Sequence, residues 1–324
     1  MSIIKSSGQA LCILLFAWGC KSPVKYVPIA DSKVYFNTTG EGEPVVLLHG
    51  GFLDSRMWDA QVADLSTDHR VITVDLRGHG KTEDGATDYL MTDAIKKILD
   101  TLGIKKASIL GHSMGGAVAT EFALQYPASV NRLLLMAPGM NKWTETSPKD
   151  TLLHVNDSLM HEAIKVKKDT ALAAEYFVRS WFDGPQRKPN QPDSAIRSKV
   201  LAMVLSNMKQ HHLQYWPRLG DSAAVPRLSQ LKMPVYLIYS QMDNDVMRMV
   251  ADSVKAHVRG STFAVFNATA HMPNLEHGSF FNSMLRNFLS ETPPDAKKKP
   301  EGTGLKEMEK KDSTSKKDTA EKKK

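Results

Sequence analysis

Cysteine is nearly absent from this chain, and the scarcity sets the first limits. Only Cys12 and Cys20 occur in 324 residues, both near the start. The body therefore carries neither a disulfide nor a cysteine metal site, whatever redox compartment it occupies. An apolar run long enough to span a bilayer is also missing, because Ala10 to Trp18 is too short for a stable membrane helix. A basic face is missing too, although the formal net charge is +7. Eleven Lys and eight Asp or Glu lie from Glu291 onward, so that segment contributes +3 and the rest +4. The Lys-rich segment has no interleaved aromatics that would stack on bases, so no nucleic-acid partner is expected. Hydrophobic content of 42% and charged content of 24% are those of an ordinary folded protein. The length suits one large core, or a core with a smaller unit inserted.

The two ends differ from the middle. Lys5, the apolar run and Gly19-Cys20 have the layout of a secretory signal peptide over residues 1–19. Ala17-Trp18-Gly19-Cys20 resembles a bacterial lipobox, although Ala17 and Trp18 depart from the usual leucine and small residue. Cleavage before Cys20 would leave it as the lipid-carrying first residue. The expectation is a cell-envelope protein facing the periplasm and held to the membrane through Cys20, with residues 20–31 as a tether. Residues 292–324 are rich in Lys, Glu, Pro, Ser and Thr and poor in apolar residues, so they read as a disordered tail.

The chain is organised around Ile109-Leu110-Gly111-His112-Ser113-Met114-Gly115-Gly116. An apolar strand enters a tight turn flanked by glycine and runs straight into a helix, with one serine at the apex. Gly111 and Gly115 remove side chains that would clash in so sharp a turn, which is the G-x-S-x-G pattern of a nucleophile elbow. Ser113 then projects above the strand ends, and the following N–H lies at a helix N-terminus where an oxyanion can be held. Around this turn, short apolar runs alternate with helical patterns. Val45 to Leu48, Val71 to Val74, Val130 to Met136 and Pro234 to Tyr239 read as buried strands, and Ile95, Ile98, Leu99 and Leu102 mark a helix face. The alternation specifies an α/β fold: a mostly parallel sheet with helices on both faces.

His49-Gly50-Gly51 after one strand, Asp75-Leu76-Arg77-Gly78-His79-Gly80 after the next, and the Ser113 elbow together resemble the α/β-hydrolase superfamily. The similarity runs from about Val34 to Leu289 and points to its esterase and enol-lactonase-like group. It implies that Ser113 is the nucleophile and that the N–H groups of Gly51 and Met114 form an oxyanion hole. It also implies an acid and then a histidine after the last strands. Asp243 stands where the family places the acid, with Asp245 as a weaker alternative that could instead cap the following helix. His271 stands where the family places the general base. Ser240 and Ala270 replace glycines usual at those turns. His49 reads as structural, Asp75 and Arg77 as turn-bracing, and His79 as facing solvent. His211, His212, His257 and His277 read as surface or cap residues.

Chemistry explains the trio. An alcohol is a poor nucleophile at neutral pH, so His271 must take its proton, and Asp243 must fix the imidazole tautomer. No metal or cofactor is required. Between the core segments 32–138 and 229–291, residues 139–228 are rich in helix formers, Met and aromatics, which suits an inserted helical cap. Trp181 and Phe182, with Phe52, are the candidates for lining the substrate pocket. The expected activity is hydrolysis of a small to medium carboxylic ester or lactone. Carbon–carbon bond hydrolases of the meta-cleavage type share the triad, but commonly carry proline in the first oxyanion turn and tryptophan after the histidine. Phe52 and Met272 stand there. Relatives with an aspartate nucleophile are disfavoured by Ser113, and a non-catalytic binding protein by the complete set of candidate groups.

Overall fold

Eight stretches pair into one sheet in the computed structural model, which describes residues 25–188, 190–211 and 216–291. The expected signal peptide over residues 1–19, Cys20, His212 and the Lys-rich segment 292–324 lie outside the described residues. In chain order the strands are β1 (Tyr26–Ile29), β2 (Ser32–Thr39), β3 (Glu43–Leu48), β4 (His69–Val74), β5 (Ala107–His112), β6 (Val130–Met136), β7 (Val235–Ser240) and β8 (Thr262–Phe266). Their spatial order is β1-β2-β4-β3-β5-β6-β7-β8. The β1–β2 and β2–β4 pairs are antiparallel and all others parallel.

This order positions the site. From β3 the chain moves outward to β4 and then returns past β3 to β5, so the sheet reverses its direction of travel between β3 and β5. Open α/β sheets bind ligands at such a switch point, beyond the carboxyl ends of the strands. Leu48 is in register with Gly111. The residues that follow β3 and β5 therefore emerge side by side.

Both faces of the sheet are buried, which is why the strands read as continuous apolar runs rather than as alternating ones. Val46, Leu48, Ile109, Leu133 and Leu237 pack on one face with α2 (Met91–Thr101), α3 (Met114–Gln125) and α7 (Asp245–His257). Val45, Leu47, Leu110, Leu134 and Ile238 pack on the other, with α1 (Asp59–Leu65) and α8 (Gly278–Ser290). Three helices, α4 (Thr151–Glu162), α5 (Thr170–Val178) and α6 (Ser194–His211), are inserted between β6 and β7 and form the cap. The last turns of α4 and α5 widen into π turns over Ala163–Lys167 and Arg179–Asp183.

Two boundaries differ from the sequence expectation. The tether expected to reach residue 31 already contains β1, which adds a strand to the edge of the sheet and buries Val27 against the core. Four residues interrupted by Pro28 carry too little alternation to announce a strand. The cap returns to the core before residue 228, because Ala224 and Leu228, at the turn Val225–Gln230, are buried with the helices of the first face.

Candidate active site

Ser113 occupies a strained position that its neighbours enforce. Its φ of 50° and ψ of −116° lie where side-chain-bearing residues rarely sit, a cost of roughly 1–3 kcal/mol. The Ser113 N–H donates to the Met136 carbonyl at 3.1 Å, and its own carbonyl accepts from Gly116, Ala117 and Gly139 at 2.8, 3.1 and 2.8 Å. Glycine is required on either side. A methyl group on Gly111 would run into the Gly115 carbonyl, and one on Gly115 into the carbonyls of Leu48 and His49.

His271 follows β8 and meets Asp243, which follows β7. The Asp243 Oδ2 lies 2.7 Å from Nδ1 of His271, and both side chains are almost fully buried. A carboxylate oxygen only accepts, so Nδ1 carries the proton and Nε2 presents a lone pair. The other Asp243 oxygen accepts the Asn244 N–H at 2.8 Å. His271 Nε2 is buried with no hydrogen-bond partner among the described residues, and His271 and Ser113 both line one cavity. Asp245 is turned elsewhere: it accepts from Ser147 at 2.7 Å and from Arg248 at 2.8 Å. It is the first residue of α7, with Asn244 at the cap position.

Two aromatic rings pack on the imidazole. Trp181 and His112 lie 4.5 and 4.6 Å from it, centroid to centroid. The Trp181 carbonyl accepts the His271 N–H at 3.2 Å, and the His271 carbonyl accepts from His112 Nε2 at 2.9 Å. Burial first, and His271 second, hold the His112 pKa well below its ordinary value, so His112 stays neutral. A second positive ring would otherwise oppose protonation of His271. The cap is anchored beside this loop by the buried Arg187–Glu276 pair at 2.5 Å.

The turn after β3 is held by the next turn of the sheet. Phe52 adopts φ 56°, and its N–H donates to His79 Nε2 at 2.9 Å. His49 Nε2 accepts the Leu76 N–H at 2.9 Å. From the cap, Asn207 of α6 donates to Asp54 at 2.8 Å and accepts the Gly80 N–H at 2.6 Å. Phe52 thus has its N–H engaged by His79, and Gly51 and Met114 border the cavity with it.

The cavity measures about 550 Å³, within the range of small-molecule sites. Ser113, His271 and His112 form its polar floor. Its walls are apolar: Phe52, Leu53, Met160, Ile164, Phe177, Trp181, Trp216 and Met272. Asp157, His161 and Lys165 stand at its solvent edge.

A family model described as alpha/beta hydrolase fold matches residues 43–278. The chain belongs to that family. Among α/β-hydrolases it is 30% identical over 260 residues to a pimeloyl-[acyl-carrier protein] methyl ester esterase of Aliivibrio salmonicida, covering 80% of this chain and 96% of that one. It is 29% identical over 290 residues to a 2-hydroxy-6-oxononadienedioate/2-hydroxy-6-oxononatrienedioate hydrolase of Paraburkholderia phymatum, covering 82% and 96%. Its fold matches the enol-lactonase of Burkholderia xenovorans with a TM-score of 0.67 and 22% identity, covering 82% of this chain and all of the other. The chain is an enzyme of the hydrolase class.

Two expectations are corrected in this α/β-hydrolase. Phe182 does not line the cavity: it is fully buried with Val178, Met203 and Val204 in the cap core, because adjacent residues of the π turn point in different directions. His79 does not face solvent. It is 2% exposed, covered by Phe52 and Trp216 and stacked on His211, which itself pairs with Asp84 at 2.9 Å. A charged tight turn looks like surface until a cap covers it. Phe52 and Trp181 do line the cavity, and Phe177 and Trp216 join them. Phe177 stands four residues before Trp181, a helical spacing that puts both on one face. His112 was legible only as the variable residue of the elbow.

Proposed function

We propose that this protein is a serine hydrolase that cleaves a carboxylic ester or lactone of small to medium size through an acyl-enzyme. The observation that carries the reading is a buried His271 whose Nδ1 is held by Asp243 and whose Nε2 has no hydrogen-bond partner among the described residues, in a cavity that His271 and Ser113 both line. In this reading Ser113 Oγ attacks the carbonyl carbon while His271 Nε2 takes the hydroxyl proton. The N–H groups of Gly51 and Met114 receive the oxyanion, and the start of α3 adds a positive dipole end. Collapse expels the alcohol, protonated by His271. Water then attacks the acyl-enzyme by the same route and frees the acid. Asp243 keeps Nδ1 protonated throughout and stabilises the imidazolium.

Carbon–carbon bond hydrolysis is the second reading, favoured by likeness to the oxononadienedioate hydrolase. That relative's name specifies a dicarboxylate. At the cavity edge Lys165 and His161, both exposed, stand with the exposed carboxylate of Asp157, and the inner walls are apolar. This lining suits an uncharged acyl chain better than two carboxylates.

We also propose export and lipid anchoring at Cys20, which rests on the lipobox-like sequence. Because β1 begins at Tyr26, residues 21–25 would be the whole link between the lipid and the fold. Cys20→Ala should move the protein from membranes to the soluble fraction; a wild type already soluble after cell disruption would contradict the anchor.

The hydrolase reading is tested with p-nitrophenyl esters of graded acyl length and a panel of lactones. Turnover with an optimum at intermediate chain length is expected. No turnover on any of them, with cleavage of a vinylogous diketone instead, would transfer the assignment to the carbon–carbon reading.

A further inference from the structure

Beside the main cavity lies a smaller recess between α4 and the π turn that ends α5. It measures about 20 Å³, enough for one water-sized group. Asp157, Met160, Phe177 and Trp181 border both spaces, so the recess opens behind one wall of the main cavity. Two of its lining groups are unusual. Asn156 and Ser180 are 5% and 2% exposed, and Asn156 Nδ2 and Ser180 Oγ each lack a hydrogen-bond partner among the described residues. Buried polar atoms nearly always find partners, and an apolar side chain at either position would fold more cheaply. The π turn that carries Ser180 is itself a rare geometry that concentrates at functional sites.

We propose that this recess is an oxygen-recognition subsite that receives a carbonyl oxygen carried on the substrate's acyl chain. The amide Nδ2 of Asn156 can only donate, and the Ser180 hydroxyl can donate as well, so the group that satisfies both is an acceptor. A ketone oxygen has the size of the space and two lone pairs for the two donors. The recess has room for the oxygen alone, so the flanking methylenes stay in the main cavity against Met160, Phe177 and Trp181, which border both spaces. The inference rests on the hydrolase reading and narrows its substrate class to oxo-acyl esters.

Binding measured without turnover separates the two claims. Methyl octanoate and a set of methyl oxo-octanoates, with the ketone moved stepwise along the chain, are titrated by calorimetry into the Ser113→Ala protein. At one or two adjacent ketone positions, binding on the order of tenfold tighter than methyl octanoate is expected. Adding Asn156→Leu, or separately Ser180→Ala, should bring the two dissociation constants together. The inference is overturned if no ketone position binds tighter, which would leave the recess to a water molecule. It is also overturned if the gain survives both substitutions, or if none of the compounds binds. Failure of wild-type protein to hydrolyse any ester would instead count against the hydrolase reading.

Discussion

Trp181 holds His271 twice: its carbonyl accepts the His271 N–H at 3.2 Å, and its indole lies 4.5 Å from the imidazole, tilted by 48°. One contact is main chain and the other side chain, and both come from the cap rather than from the sheet. The cap therefore does more than cover the cavity. It holds the ring that, in the proposed mechanism, exchanges a proton with Ser113.

Trp181→Ala removes the indole and keeps the carbonyl. Turnover should fall by roughly tenfold to a hundredfold, since an imidazole displaced by about 1 Å costs that much. KM should rise as well, because a cavity wall is lost. Trp181→Phe should recover most of both. Steady-state kinetics on one chromogenic ester checks the series, and an alanine variant with wild-type kcat would contradict the positioning role.

Asp243 and Asp245 are two residues apart and face different partners. Asp243→Asn leaves His271 free to take the wrong tautomer, and kcat should drop by roughly a thousandfold or more. Asp245→Asn disturbs only the Ser147 and Arg248 contacts, so kcat should stay within a few-fold. The opposite ranking would reassign the acid.

His79 makes stability depend on pH. Burial first, and the neighbouring His49 second, push its pKa from 6.5 down to about 3. The unfolded chain binds a proton below pH 6.5 that the folded chain refuses until about pH 3. Its contribution is therefore complete above the unfolded value and is lost as pH falls across that window, by at most about 1.4 kcal/mol per pH unit. His211 works the other way. Burial lowers its pKa but the Asp84 carboxylate and the Gly80 carbonyl outweigh this and raise it, so its contribution is lost as pH rises. Urea unfolding of His79→Phe between pH 6.5 and pH 4 should show a shallower acid slope than wild type. Equal slopes would mean that another group carries the acid sensitivity.

What was legible in the sequence followed from local sterics and from patterns that both faces of the sheet impose. Gly111 and Gly115 announce a turn too tight for a Cβ, and the apolar runs of β3 to β7 announce burial on both faces. The meeting of Asp243 with His271 was legible only through the family resemblance, and the strand order explains it by delivering both to one end of the sheet. Features set by the cap were not legible. His79 reads as surface because nothing local says that Trp216 and His211 will cover it. Phe182 and Trp181 are neighbours in a π turn, and helical spacing does not tell which of them faces the core. Strand β1 is too short, and Pro28 too disruptive, to show a period.

The central claim is that Ser113 is the nucleophile and that His271 activates it. Fluorophosphonate labelling of the intact protein, followed by peptide mass spectrometry, tests it most directly. A single adduct on Ser113 is expected, formed at least roughly a hundredfold more slowly in His271→Ala. An adduct on another serine, or no adduct under conditions where the folded protein is intact, would contradict it.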